Sequence, residues 1–153
     1  MPKQSAGLLL YRRKENGIEV FLVHPGGPYW SKKDHGAWMI PKGEYTDGEE
    51  ALDAARREFL EETGFVVDGD FVSLGSIRQT GGKIVSVWAL EGDCDPEKLV
   101  SNYCQLEWPP RSGRMIDIPE VDRGNWFTLR EAEARILPSQ SPMLTRLAEN
   151  VGK

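Results

Sequence analysis

A chain of 153 residues, 39% hydrophobic and 28% charged, is long enough for one domain with a sizeable core and has the composition of a soluble globular protein. Its formal net charge of −5 excludes the broad electrostatic grip of a generic nucleic-acid binder, which is basic, but not an anionic substrate met through metal ions. No apolar run approaches the roughly 20 residues of a membrane helix, so no membrane partner is expected.

The start, MPKQSAGLLLYRRKENG, turns basic after a short apolar core and reads as a strand, not a signal peptide. SAGLLLY and IEVFLVH form two strands joined by the turn RRKENG. HPGGPYWSKKDHG is a loop, and AWMIP is a short strand leading into KGEYTDG. A helix follows. FVSLGSIRQ and KIVSVWAL make a hairpin around TGG. From Glu91 to Asn125 no helical period appears; RMIDIPEV holds one short strand, and so long a loop is often functional. WFTLREAEARI and SPMLTRLAENV close the chain as helices. Helices mixed with hairpin-linked strands give an α+β fold of one domain over 1–153. Cys94 and Cys104 lie ten apart without a CxxC, and His24 and His35 are the only histidines. Neither a zinc site nor a disulfide framework is expected, and a reducing cytoplasm is the default location.

The helix is the most informative segment. GEYTDGEEALDAARREFLEETGF, Gly43 to Phe65, carries eight acidic and two basic residues. Thr46 or Asp47 is placed to cap its start, with Glu49 or Glu50 completing a capping box, and Gly64 supplies the stop. At about 100° per residue, Leu52, Ala55 and Phe59 form the buried stripe. Glu58, Glu61 and Glu62 fall on an adjacent face, spread over about 100° and spaced three and four apart, so their carboxylates can converge. Arg57 offsets only part of this charge. The bland reading is a solvated acidic face. Against it, such a face normally interleaves Lys or Arg at i+4, and like charges at this spacing cost roughly 0.2–0.5 kcal/mol per pair. The sharper reading is a site for a hard cation, Mg²⁺ or Mn²⁺, held by oxygen ligands.

The spacing around these residues resembles the Nudix box, G-x5-E-x7-R-E-U-x-E-E-x-G-U with U a bulky apolar residue. Gly43, Glu49, Arg57-Glu58, Phe59, Glu61-Glu62, Gly64 and Phe65 match every defined position. The resemblance implies an α/β/α sandwich with a mixed central sheet. It also implies hydrolysis of a phosphoanhydride in a nucleoside diphosphate linked to another group, with Mg²⁺ or Mn²⁺ as cofactor. Carried onto this chain, Glu58, Glu61 and Glu62 become metal ligands, joined by the Gly43 carbonyl, while Glu49 and Arg57 support them. The general base is Glu58 or Glu120. PEVDRGNWFTLREA resembles the segment that supplies a distal glutamate in several Nudix enzymes, and Glu107 and Asp117 are weaker rivals.

A small-molecule nucleotide needs contacts outside the box. Tyr29, Trp30 and Trp38 offer rings on which a base could stack, though core packing is the ordinary fate of each. Lys42 and Lys83 could reach phosphate oxygens, as could Arg111 and Arg114, though most lysines simply face water. VHPGGPYW, DHGAW and IPKGEY are similar to dinucleoside polyphosphate hydrolases, so diadenosine tetraphosphate leads. Nucleoside triphosphates, including oxidised ones, and RNA 5′ ends follow. The alternative is a non-catalytic ligand-sensing domain, a class that can lose box carboxylates which this chain keeps.

Overall fold

The computed structural model describes residues 3–15 and 17–151, without the Thr80 side chain; Asn16, in the first predicted turn, lies outside the described residues. The architecture grows from its first strand. β1 (Gln4–Lys14) is buried on both faces, which explains why Leu8, Leu9 and Leu10 run without alternation. Along one edge its C-terminal half pairs antiparallel with β2 (Gly17–Pro25), while its N-terminal half pairs antiparallel with β3 (Lys42–Tyr45). Its other edge pairs parallel with β5 (Ile84–Glu91), which also pairs antiparallel with β4 (Val72–Arg78). β8 (Val121–Thr128) pairs with β2 and completes a mixed six-stranded sheet in the order β4-β5-β1-β2-β8, with β3 beside β1.

Successive side chains of β1 point to opposite faces and seed two cores. Ala6, Leu8 and Leu10 join Phe21, Val23, Ala54, Ala55 and Phe59 under α1 (Ala51–Thr63). Leu9 and Tyr11 join Leu22, Trp38, Val87 and Phe127 under α2 (Leu129–Arg135) and α3 (Pro142–Val151). The sheet thus lies between one helix and two, an α/β/α sandwich of the α+β class, as expected. Phe59 fastens α1: its ring is fully buried 6.4 Å from that of Phe21, and Phe59→Ala would cost roughly 3–5 kcal/mol. No helix among the described residues is long and apolar enough to cross a membrane.

Three expectations need correction. Neither Thr46 nor Asp47 caps α1; the N-cap is Glu50, with no side-chain cap bond. Thr46 instead closes a turn, its carbonyl accepting from the Glu49 N–H at 3.0 Å. AWMIP is no strand, contributing only isolated bridges from Trp38 to Ile136 and from Met39 to Val23. The segment 91–125 is richer in strands than its pattern suggests. β6 (Tyr103–Glu107) and β7 (Met115–Pro119) form a separate two-stranded hairpin, and β8 takes Trp126 and Phe127 from the predicted helix. α2 starts where Thr128 and Glu131 make a reciprocal capping box, a signal present in the sequence but overlooked there.

Candidate metal and catalytic site

β3 and α1 meet at one contact that explains a glycine. A Cβ at Gly43 would overlap the carboxyl carbon and Oε1 of Glu58, so only glycine leaves room for this carboxylate against the strand. Gly64 ends the helix in the left-handed region at φ 80°, and its N–H donates to the Leu60 carbonyl at 2.8 Å.

Arg57 organises the exposed side of the cluster. Its Nε and Nη2 donate to the two oxygens of Glu49 at 2.9 and 3.0 Å, a bidentate pair. Its Nη1 donates to Glu58 Oε2 at 2.6 Å and reaches Glu61 at 3.3 Å. The hydrogen bonds to Glu49, then those to Glu58, hold the guanidinium well above its ordinary pKa, and the same contact lowers that of Glu49. Arg57 fixes where Glu58 points.

Glu62 is on the opposite footing. It is only 4% exposed, and burial, then the charges of Glu120 and Glu58, push its carboxyl up to about 9. Lys42 pulls the other way, through its charge and its backbone N–H. Burial raises Glu58 as well, against the pull of Arg57 and with Glu61 and Glu120 adding to the rise. The ammonium of Lys42 is depressed by burial and by nearby Lys83, which lies 3.6 Å from Glu44. Lys42 therefore stands beside the carboxylates of Glu58 and Glu62, with Lys83 next to it and to Glu44.

The expected convergence of Glu58, Glu61 and Glu62 on one point is not seen. Among the described residues no three His, Cys, Asp or Glu side chains gather tightly enough for a finished metal cage. Glu61 turns outward to Arg57 while Glu62 turns inward to Lys42, as repulsion between like charges favours. The donor set nevertheless fits a hard divalent cation. It consists of carboxylate oxygens, two of them desolvated, and Glu58 is seated against Gly43 in a space a Cβ would fill.

Glu120, between β7 and β8, interacts electrostatically with both Glu58 and Glu62. Its rivals are elsewhere. Glu107 accepts the Arg111 and Gly113 N–H groups at 3.1 and 3.2 Å and so shapes the hairpin turn, leaving Arg111 and Arg114 at that turn away from Glu120. Asp117 is exposed opposite Gln105. The Gly26 N–H donates to the Glu120 carbonyl at 3.0 Å, so the loop bearing Tyr29 and Trp30 departs beside Glu120. Tyr29 is 56% exposed, packs edge-on to Trp30 at 5.0 Å and carries the Lys33 ammonium 4.2 Å above its ring. Trp38 is a correction: at 3% exposure it cannot stack on a base. Its ring packs against His24 and Phe127, and its Nε1 donates to Asp34 at 2.8 Å.

Two contributors escaped the sequence reading. Fully buried His24 links the Asp122 carboxylate, 2.9 Å from Nδ1, to the Lys33 carbonyl, 2.6 Å from Nε2, and so ties the aromatic loop to β8. Asn102 bonds to Glu120 through both backbone and side chain. No spacing or motif marks either one.

The chain is 35% identical over 88 residues to an uncharacterised 17.7 kDa protein of Enterobacteria phage T4, a match covering 56% of this chain and 57% of that protein. It is 27% identical over 128 residues to the RNA pyrophosphohydrolase of Legionella pneumophila strain Corby, covering 78% of this chain and 73% of the relative. In three dimensions it resembles a C. elegans Ap4A hydrolase binary complex, with a TM-score of 0.66, 22% identity and coverage of 95% and 96%. The model of the NUDIX domain matches residues 1–147, nearly the whole chain, and the chain belongs to that family.

Proposed function

We propose that this NUDIX pyrophosphohydrolase acts as a single domain in the cytoplasm and hydrolyses a phosphoanhydride in a nucleoside diphosphate linked to another moiety. The lead substrate is diadenosine tetraphosphate or a related dinucleoside polyphosphate. The observation that carries the reading is one region holding Glu58, Glu62 and Glu120 in electrostatic contact, with Lys42 beside Glu62 and Gly43 making room for Glu58. Glu58, Glu61, Glu62 and the Gly43 carbonyl would hold Mg²⁺ or Mn²⁺. Bound there, the cation neutralises phosphate charge and makes water a better nucleophile at neutral pH.

The chain's residues do the rest. Arg57 keeps Glu58 in place and limits its rotation. Glu120 takes the proton of the attacking water as its oxygen bonds to phosphorus and the bridging P–O bond breaks. Lys42 and Lys83 attract phosphate oxygens on the β3 side. Tyr29 and Trp30, leaving beside Glu120, offer a stacking surface worth roughly 1–3 kcal/mol to a base.

A second reading, an RNA 5′ end as substrate, is favoured by the likeness to the Legionella enzyme. Hydrolysis of nucleoside triphosphates, or ligand sensing without turnover, completes the alternatives. A panel of diadenosine tetraphosphate, nucleoside triphosphates and 5′-triphosphorylated RNA, incubated with Mg²⁺ or Mn²⁺ and resolved by chromatography, separates them. The lead predicts ATP and AMP, or two ADP, from the dinucleotide at the highest kcat/KM. Preference for another member replaces the lead, and no hydrolysis of any of them favours a sensor.

A further inference from the structure

We infer that Asn102 is a positioning residue that holds Glu120 toward the carboxylates of α1, an inference resting on the proposed role of Glu120. The last carbonyls of a helix lack intrahelical partners. Here the irregular segment 100–102 supplies them: the Val100 N–H donates to the Thr63 carbonyl at 2.9 Å and the Asn102 N–H to the Glu61 carbonyl at 2.8 Å. The end of the helix carrying Glu58, Glu61 and Glu62 is thereby hydrogen-bonded directly to Asn102.

Asn102 then turns to the β7–β8 junction. Its carbonyl accepts the Glu120 N–H at 2.9 Å, and its Nδ2 donates to Glu120 Oε1 at 3.2 Å. Next to it, Ser101 Oγ accepts the Val121 N–H at 3.0 Å. Glu120 is thus gripped at backbone and side chain, by a residue anchored on the helix whose glutamates it must face. The side-chain chemistry is specific. A carboxylate only accepts, so it needs a donor, and the Asn102 amide offers one without adding charge to a region already crowded with carboxylates. One oxygen of Glu120 is held by the amide, which restricts rotation of the carboxyl group while Oε2 stays outside that bond. Ser101 Oγ donates to the Asn102 carbonyl at 2.9 Å, the same carbonyl that accepts the Glu120 N–H, and so steadies the backbone half of this grip. A base held this way keeps its direction relative to the carboxylates of α1, and misplacing a catalytic group by about 1 Å can cost a hundredfold in rate.

The test compares Asn102→Ala, Asn102→Asp, Glu120→Gln and the Asn102→Ala/Glu120→Gln double variant, reading kcat, KM, Mn²⁺ affinity and melting temperature. Asn102→Ala is expected to lower kcat about tenfold or more while KM and Mn²⁺ affinity change less than about twofold. Asn102→Asp keeps shape and backbone bonds but sets a like charge against Glu120, and kcat should fall at least as far; it also serves should the alanine variant fail to fold. In the Glu120→Gln background, Asn102→Ala should change kcat less than about twofold, because a residue acting through Glu120 has nothing left to position. Multiplying losses in the double variant, or parental kcat in Asn102→Asp, overturn the inference. Parental kcat in Glu120→Gln overturns it together with the role of Glu120. A parent protein inactive on every phosphoanhydride defeats the proposed function before any substitution is made.

Discussion

Replacing Glu62 with Gln keeps the shape of a buried side chain and removes its titratable carboxyl group. In the metal-free protein the parent carboxyl sits at about 9 instead of its ordinary 4.5, because only 4% of the residue meets solvent and Glu120 and Glu58 repel it. The sign follows. Above pH 4.5 the unfolded chain releases this proton while the folded protein keeps it, so folding stability falls as pH rises, until about 9. The slope is about 1.4 kcal/mol per pH unit, so the loss reaches on the order of 3 kcal/mol by pH 7. Gln has no such slope. In EDTA, Glu62→Gln should therefore gain on the parent between pH 5 and 9, by roughly 6–12 °C in melting temperature at pH 7 relative to acid conditions for a chain of this size. Millimolar Mg²⁺ should reverse the order, since it stabilises the state whose carboxylates bind it, and turnover of the variant should fall by orders of magnitude. The assay is a set of melting curves for both proteins across that range, with and without Mg²⁺. Parallel curves in EDTA, or a variant that melts well below the parent at pH 8, would refute the reasoning.

Other outcomes follow from particular contacts. Gly43→Ala should force the Glu58 carboxylate out of its place and lower kcat at least tenfold, while urea unfolding changes little because the displaced atoms are the end of a flexible side chain. His24→Ala should cost about 2–4 kcal/mol and make the segment 26–36 easier to cleave in limited proteolysis, because a fully buried ring and its two part-buried hydrogen bonds are lost. After EDTA treatment, Mg²⁺ or Mn²⁺ should restore turnover and zinc alone should not, given the hard oxygen donors; full recovery with zinc would count against this ligand set.

The parts of the site legible in the sequence are those written at helical spacing. Arg57, Glu58, Glu61 and Glu62 could be placed around α1 because 3.6 residues per turn fixes their directions, and Gly64 announced its end. Spacing could not reveal that Glu62 lies on the buried side, since that depends on how α1 rolls against the sheet. Nor could it give the steric reason for Gly43, which exists only where β3 meets α1. Trp38 stands in the predicted short strand AWMIP as a candidate stacking ring; its burial comes from the backbone bonds that tie it to Arg135 at the end of α2 and to Leu137 just beyond it. β8 was hidden because VDRGNWFT lacks clean alternation, and its Gly124 answers to the Phe21 ring that a Cβ would strike. Asn102 is a single polar residue whose partners lie 41 residues before it and 18 after it, at Glu61 and Glu120, a separation no local pattern records.

The central claim is that the carboxylates of α1 bind a divalent cation and that phosphoanhydride hydrolysis depends on it. Titrating Mn²⁺ into the parent and into a Glu58→Gln/Glu62→Gln double variant, with free Mn²⁺ followed by electron paramagnetic resonance and hydrolysis of diadenosine tetraphosphate measured in the same samples, tests it most directly. The account predicts that the parent binds Mn²⁺ and turns over substrate in proportion to occupancy, and that the double variant, still folded, loses both by about a hundredfold or more. Equal Mn²⁺ binding and equal turnover in the two proteins would contradict it.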